Sequence, residues 1–534
     1  MAVLVYLGWA VLGVFGYALW ALRNPIIKSF TSPLRTLPGP PRKSWLLGYF
    51  PDIWKADNSV LQEKWVEQYG PSISYTGLFG IWRLWTKDTR ALNHILTHSF
   101  VYEKPEETRN ALEELLGAVS LLFLFNNILS DTPSKANNIG NRTQLSVQLR
   151  SLRDHWASEY AKTNTPTRID VLSGLSKMTL DVIGLAGFNY SFGALNESGQ
   201  PSELNQAFNT VFEATSSFEI LPLLKVLFPP FRIIRSKKEK ITKEAQETMR
   251  RIGMQLVAEK KAAIRAMESE KEGVSKRDMQ GRDLLTLLLK ANMANDIPDA
   301  QRLSDEDVLA QVPTFLVAGH ETTSNATSWC LFALTQAPEV QRKLREELRN
   351  VPTDTPTMDE LVALPYLDQV TREALRLHPP VPMTVRVANK EDYIPVSTPY
   401  TDKNGQIQTT IRVSKNDAIF LPIVAINRDK SVWGEDAFEF KPERWEKVPD
   451  AAGGVPGVWG NMLTFLGGPR SCIGYRFALI EMKALLFTLV RAFEFELSVP
   501  IEDVSKRSSM VQRPYIKSEP KNPNQMPLFI KPVA

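Results

Sequence analysis

Cysteine is almost missing from this chain: Cys330 and Cys472 are the only two in 534 residues. So few exclude a disulfide-stapled scaffold and a cysteine-rich structural zinc site. They also suit a chain that faces a reducing compartment. Histidine is scarce as well, at His94, His98, His155, His320 and His378. His94 and His98 are spaced to share a helix face, but no third ligand accompanies them, so a histidine-built metal site is not expected. Charge of one sign is lacking, since 63 basic and 59 acidic residues leave a net +4. So small a bias gives no reason to expect a nucleic-acid partner. Glycine and proline are not in excess, which argues against collagen-like and disordered classes. What remains is 43% hydrophobic, enough for a large core.

Charge is also absent from Ala2 to Leu22. As a helix rising about 1.5 Å per residue, that stretch is long enough to cross a hydrocarbon core of roughly 30 Å. Trp9, Tyr17 and Trp20 suit the interfaces, and cations follow at Arg23, Lys28, Arg35, Arg42 and Lys43 with none before. The expectation is a single-pass transmembrane anchor over 1–22 with the body facing the cytosol. A signal peptide would carry a basic start and a shorter apolar run. Leu37-Pro-Gly-Pro-Pro41 prefers extended geometry, so 23–50 reads as a basic, proline-rich linker.

Residues 51–534 read as one catalytic domain. From about 51 to 378 the periodicity is helical, interrupted by strand-like runs at Ile73 to Tyr75 and Trp82 to Trp85. Asn404-Gly405 between β-branched runs predicts a hairpin, and the chain after about 494 is strand-rich. The fold class is mainly α with a small β part, α+β in broad terms. Residues 219–240 join an apolar edge to a basic cluster, which reads as a buried helix followed by a solvated helix start, or as a membrane-surface segment.

Three constellations carry chemistry. In Phe465-Leu-Gly-Gly468-Pro-Arg470-Ser-Cys472-Ile-Gly474, glycines on both sides of the cysteine let backbone approach a flat cofactor. Arg470 can pair with an anionic group on it. A helix predicted over 478–490 points its N-terminal dipole at the thiolate. Ala318-Gly-His-Glu321-Thr322-Thr sits inside a helix predicted over 305–335, capped by Ser304. Glycine and threonines are poor mid-helix choices, and such local conflict marks a site. A small residue there admits a large ligand, and a threonine bonding back to the preceding turn opens the helix. Glu373-Ala-Leu-Arg376 places an acid and a base on one helix face.

The ten-residue cysteine pattern resembles the haem-binding loop of the cytochrome P-450 superfamily, Phe-x-x-Gly-x-Arg-x-Cys-x-Gly, with every fixed position filled. The likeness runs nearly the whole chain and is greatest to its fungal secondary-metabolism branch. It implies haem b (iron protoporphyrin IX) held by Cys472 as axial thiolate and metal ligand, with Phe465, Gly468, Arg470 and Gly474 around it. It implies Arg386 on a propionate and Ala318 against the haem. Glu321 and Thr322 would supply protons as catalytic residues. Glu373, Arg376 and Arg444 of Pro442-Glu-Arg444-Trp445 would form a structural triad, with Trp where the family has Phe. Electrons would come from NADPH through a separate NADPH-cytochrome reductase at the endoplasmic reticulum membrane. One oxygen atom would enter a lipophilic small molecule, such as a terpenoid intermediate. No Gly-rich flavin or nicotinamide fingerprint occurs in the chain itself.

One stretch departs from the family. Between about 115 and 150 the family has a helix whose Trp or His and Arg hold a propionate. Here Val119 to Thr143 reads Val-Ser-Leu-Leu-Phe-Leu-Phe-Asn-Asn and onward without that pattern. This suggests a segment translated from non-coding sequence, which sequencing the transcript would test. It also raises the alternative of a catalytically impaired haem-binding membrane protein. A rearrangement enzyme needing no reductase, and a tethered protein without haem, are the other readings.

Overall fold

The expected strand runs pair with each other. Ser72–Thr76 (β1) and Trp82–Thr86 (β2) are antiparallel, with Ile73 opposite Trp85. The structure, a computed structural model, describes residues 26–56, 59–106, 108–110, 142–195, 237–269, 283–293, 304–508, 511–522 and 524–533. It adds Gly16, Arg23 and five positions between 203 and 210. Val119 to Asn141 and 211–236 lie outside the described residues, so the departing segment and most of the apolar-basic stretch are not placed.

β1 and β2 belong to a five-stranded sheet with Tyr102–Glu103 (β3), Thr384–Ala388 (β5) and Ala418–Leu421 (β8), in the order β1-β2-β8-β5-β3. Thr167–Asp170 (β4), Phe493–Leu497 (β9) and Pro527–Pro532 (β12) form a second sheet, with β12 central. The Asn404-Gly405 signal is a hairpin between Asp392–Thr401 (β6) and Ile407–Val413 (β7). Asp402 closes the turn by accepting from the Asn404 and Gln406 N–H groups. Val504–Ser508 (β10) and Gln512–Ile516 (β11) make a second hairpin. The proline-rich run lies against β1: Ser74 N–H donates to the Pro38 carbonyl at 2.8 Å, and Leu34 and Leu37 are buried.

Helices make the rest of the body. The central one, Asp305–Gln336, begins at a capping box in which Ser304 and Asp307 satisfy each other's backbone N–H. It is buried along most of its length, and Pro313 lies within it. Its closest neighbour is the Val171–Phe188 helix. At Gly319 a Cβ would come within 2.9 Å of Ile183, so glycine is what lets the two helices approach. Thr179 Oγ1 donates across the gap to the His320 carbonyl at 3.0 Å.

That neighbour corrects the expected fold class. An N-terminal transmembrane helix was anticipated; the one described helix long and apolar enough to cross a membrane is Val171–Phe188, in mid-chain, not at the N-terminus. It is 72% buried inside the body. A helix enclosed by protein on nearly every side is apolar all round, and therefore has the composition of a span. The α+β architecture itself is as expected.

Candidate functional site

The Cys472 loop is built by backbone, not by side chains. Cys472 N–H donates to the Phe465 carbonyl at 2.9 Å, and Ser471 N–H to the Gly468 carbonyl at 3.1 Å. Gly468 has φ +70, and a Cβ there would sit 2.3 Å from the Leu96 carbonyl oxygen. Only glycine lets the loop lie on the Thr89–Thr97 helix. A Cβ at Gly474 would meet nothing within 4 Å. The following helix is Tyr475–Ala492, starting three residues earlier than anticipated, directly after Gly474. Phe465 is buried, its ring edge-on to Trp459 at 5.7 Å and 6.0 Å from Tyr475. Cys472 is accessible yet surrounded by protein atoms, so its thiol faces a space inside the molecule. Burial pushes the thiol up, and the Gly474 N–H opposes that.

The central helix turns a polar ladder on itself from Ala318 to Ser328. Thr322 Oγ1 donates to the Ala318 carbonyl at 2.6 Å, Asn325 to Glu321, Thr327 to Thr323 and Ser328 to Ser324. Such back-bonding weakens the regular ladder and admits irregularity. Ala318 is exposed although Leu316 and His320 on either side are buried. Val317 beside it and Ile473 beside Cys472 pack against one apolar cluster. Glu321 is buried and is held by Arg513 of β11, whose Nε donates to Oε1 at 2.5 Å. Burial raises its carboxyl, and Arg513 works against that. The neighbouring His320 is driven down to about 4, chiefly by burial.

Cations gather near the loop. Arg386 is 3% exposed and donates to Thr384 Oγ1 at 2.9 Å and to the Val385 carbonyl at 3.0 Å. Among the described residues it makes no ion pair. Burial, then the repulsion of Arg470, pushes it down to about 10. Lys104 is lowered by burial and then by both arginines. Arg470 donates to the Tyr102 carbonyl at 3.3 Å. The nearby acid, Glu103, is engaged by Arg109 at 3.3 Å. Arg386 is buried, Arg470 half-buried and Lys104 exposed, and a buried cation without an ion pair favours an anion beside it.

Behind the loop, Glu373 and Arg376 are both fully buried and joined twice, at 2.7 and 2.9 Å. Arg444 Nε reaches Glu373 Oε1 at 3.4 Å, and its Nη1 reaches Asp436 Oδ1 at 2.6 Å. Arg444 and then Lys441 hold the Asp436 carboxyl down at about 2. Trp445 Nε1 donates to Glu373 Oε2 at 3.0 Å, so the tryptophan adds a bond that phenylalanine could not. Asn427 links this network to the loop. Its carbonyl accepts from Arg376 at 2.9 Å, and its side chain bonds Leu463 N–H and Thr464 Oγ1.

Sequence reasoning missed Lys104, Arg513 and Glu481. Only Glu481 left a local signal, as an acid within the apolar run of its helix. Glu481 is 1% exposed beside Thr323, and neither carboxyl oxygen completes a hydrogen bond. Burial raises it to about 8. An unfolded chain releases that proton near the ordinary carboxyl value, whereas the folded protein keeps it. Its stabilising contribution is therefore complete below the ordinary carboxyl range and lost as pH rises toward 8, at about 1.4 kcal/mol per pH unit. Glu481→Gln is expected to flatten this fall and to be the more stable protein at pH 8. Urea melts of both proteins at pH 6 and pH 8 test it, and parallel pH trends would refute it.

His94 and His98 stack at 4.1 Å, and His94 Nε2 lies 2.9 Å from Asp392 Oδ2. Among the described residues no group of histidine, cysteine and acidic side chains could hold a metal ion. A lone cysteine facing an interior space, with a cationic cluster beside it, is the arrangement that remains. The sequence model of the family Cytochrome P450 matches residues 145–518.

The chain belongs to the cytochrome P450 family.

Its P450 relatives are fungal. Cytochrome P450 monooxygenase 205 of Postia placenta is 55% identical over 99% of this chain and 98% of its own length. Cytochrome P450 monooxygenase 128 of the same organism is 50% identical over 97% and 96%. A ganoderic acid synthetase of Ganoderma lucidum is 33% identical over 94% and 95%. The protein is thus an oxidoreductase, a haem-thiolate P450 monooxygenase related to enzymes of secondary metabolism. A haem with a cysteine thiolate, and electrons from NADPH through a reductase, are typical of this family. The family match begins just after the segment that departs from the P450 pattern.

Proposed function

We propose that this P450 inserts one oxygen atom into a lipophilic small molecule, a terpenoid or similar secondary-metabolite intermediate, on a haem b ligated by Cys472. The observation that carries the reading is the accessible yet enclosed Cys472 thiol near the buried Arg386 and its neighbouring cations. The donor set suits the group: sulfur for the iron, and Arg386, Arg470 and Lys104 for the propionates. Ala318 and Gly474 leave room for a flat ring system. Bound there, a thiolate-ligated haem supplies the activation of O₂ that the side chains cannot.

The chain's own contribution is placement and protons. Ala318 offers a small surface against which a ring could lie, and Gly468 fixes the loop on its neighbouring helix. Phe465 packs the cysteine side of the loop. Glu321 holds a proton-exchanging carboxyl, and Thr322 Oγ1 a hydroxyl, on the helix that faces the interior space. The apolar groups near Val317 and Ile473 favour a lipophilic guest. The 33% identity to a protein named ganoderic acid synthetase supports that substrate class. Residues 51–534 form the catalytic domain, with 23–50 as the basic, proline-rich segment leading into it. We place the domain on the cytosolic face of the endoplasmic reticulum membrane, where an NADPH-cytochrome reductase and a lipophilic substrate meet.

The test is reconstitution of the purified holoprotein with NADPH and a fungal NADPH-cytochrome reductase, with a terpenoid panel under isotopically heavy O₂. Products carrying one labelled oxygen atom, absent without reductase, are expected. Products formed equally without reductase would instead favour a rearrangement enzyme. Spectrally intact protein that yields no labelled product from any terpenoid would sink the terpenoid assignment.

A further inference from the structure

The geometry points to Arg513 as a positioning residue for Glu321, so that proton supply on the central helix is governed from the β10–β11 hairpin. This deepens the proposed function and rests on it. Arg513 lies 192 residues from Glu321 in sequence, yet Nε and Nη2 both converge on Oε1. Glu321 is 7% exposed, and the Arg513 side chain 13%. A carboxylate buried to that extent without a cation would take up a proton or turn toward water.

The hairpin is itself fixed to the helix that it serves. Trp329 Nε1, about two turns beyond Glu321, donates to the Gln512 carbonyl at 3.0 Å. Gln512 N–H donates to the Pro380 carbonyl at 2.7 Å. Arg513 therefore follows a residue bound on both sides, and its guanidinium arrives over Glu321 from a rigid support. A carboxyl anchored this way has its rotamer set by tertiary contact and not by its own helix.

The charged and titratable groups near Glu321 favour the same conclusion. His320 on the same helix stays neutral through burial. Glu481, from the Tyr475–Ala492 helix, reaches Thr323 and keeps its proton at neutral pH. Arg513, from the hairpin, is the formal charge set against Glu321, and it favours the ionised form. Without it Glu321 holds its proton to higher pH and loses its fixed direction.

The test needs no natural substrate. Holoprotein reconstituted with the reductase oxidises NADPH in air. Two electrons and two protons per O₂ give hydrogen peroxide, and four of each give two waters. Peroxide released per O₂ consumed therefore reads proton supply. Arg513→Gln is expected to raise that ratio severalfold, and Arg513→Lys to return most of it. The infrared band of the protonated Glu321 carboxyl, assigned with Glu321→Gln, should titrate about one pH unit or more higher in Arg513→Gln. The double variant Glu321→Gln/Arg513→Gln keeps two neutral hydrogen-bonding amides and guards against misfolding. It should match Glu321→Gln alone. An unchanged ratio and midpoint in spectrally intact Arg513→Gln would overturn the assignment while leaving the haem site standing. A wild-type protein without a thiolate-type carbon monoxide band would overturn both.

Discussion

Replacing Cys472 by alanine is expected to abolish the strongly red-shifted carbon monoxide band of the dithionite-reduced protein, and NADPH-driven oxygenation with it. The fold should survive. The loop is held by Cys472 N–H on Phe465 and Ser471 N–H on Gly468, neither of which uses the thiol. Cys330 cannot substitute, because it is fully buried and its thiol is driven far above its ordinary value by burial. A thiolate is what sends electron density to the iron and favours O–O cleavage, so losing the ligand removes the chemistry and does not merely slow it. Thermal melting should move little beside the wild-type apoprotein. A red-shifted band that persists in Cys472→Ala would show that another sulfur, or no sulfur, holds the iron.

Arg376→Ala is expected to cost about 3–5 kcal/mol, because it strands a fully buried Glu373 carboxylate. Against a total stability of about 5–15 kcal/mol, that is a large share of the margin. The network explains the size. Arg376 satisfies the carbonyls of Asn427, Ala437 and Glu439 as well as Glu373, so its removal orphans several groups together. Glu373→Gln should be milder, since Arg376 stays in place and the amide oxygen can still accept from one of Trp445 Nε1 and Lys441 N–H, which bond different oxygens of Glu373. Trp445→Phe loses one charge-assisted bond and should cost about 2 kcal/mol. Urea unfolding of the three variants checks the order. Equal stability of Arg376→Ala and wild type would mean that the triad is not structural.

What the sequence revealed was chemistry written locally. The cysteine loop, the Ser304 cap and the Glu373–Arg376 pair each sit within a few residues, so spacing exposes them. The hairpin at Gly405 is legible for the same reason. Arg513 and Lys104 are single cations in ordinary surroundings, and their importance comes from chain folding back over long separations. Glu321 was expected to act beside Thr322, but its fixed partner arrives from β11. The anchor was read over residues 1–22, whereas the described helix with the composition of a span is Val171–Phe188, a core helix that the sequence reading did not single out. The mid-helix glycine was read as making room for a ligand, whereas Gly319 is where Ile183 of the neighbouring helix packs.

The Asn427 bridge has a consequence for how this enzyme can fail and change. One amide side chain bonds the backbone of Leu463 and the hydroxyl of Thr464, while its carbonyl serves Arg376. Thr464 in turn donates to the Leu375 carbonyl at 2.8 Å. A lesion in the buried ion-pair network is therefore passed directly to the segment that leads into Phe465 and Cys472, so on this side of the molecule damage to the scaffold is also damage to the site.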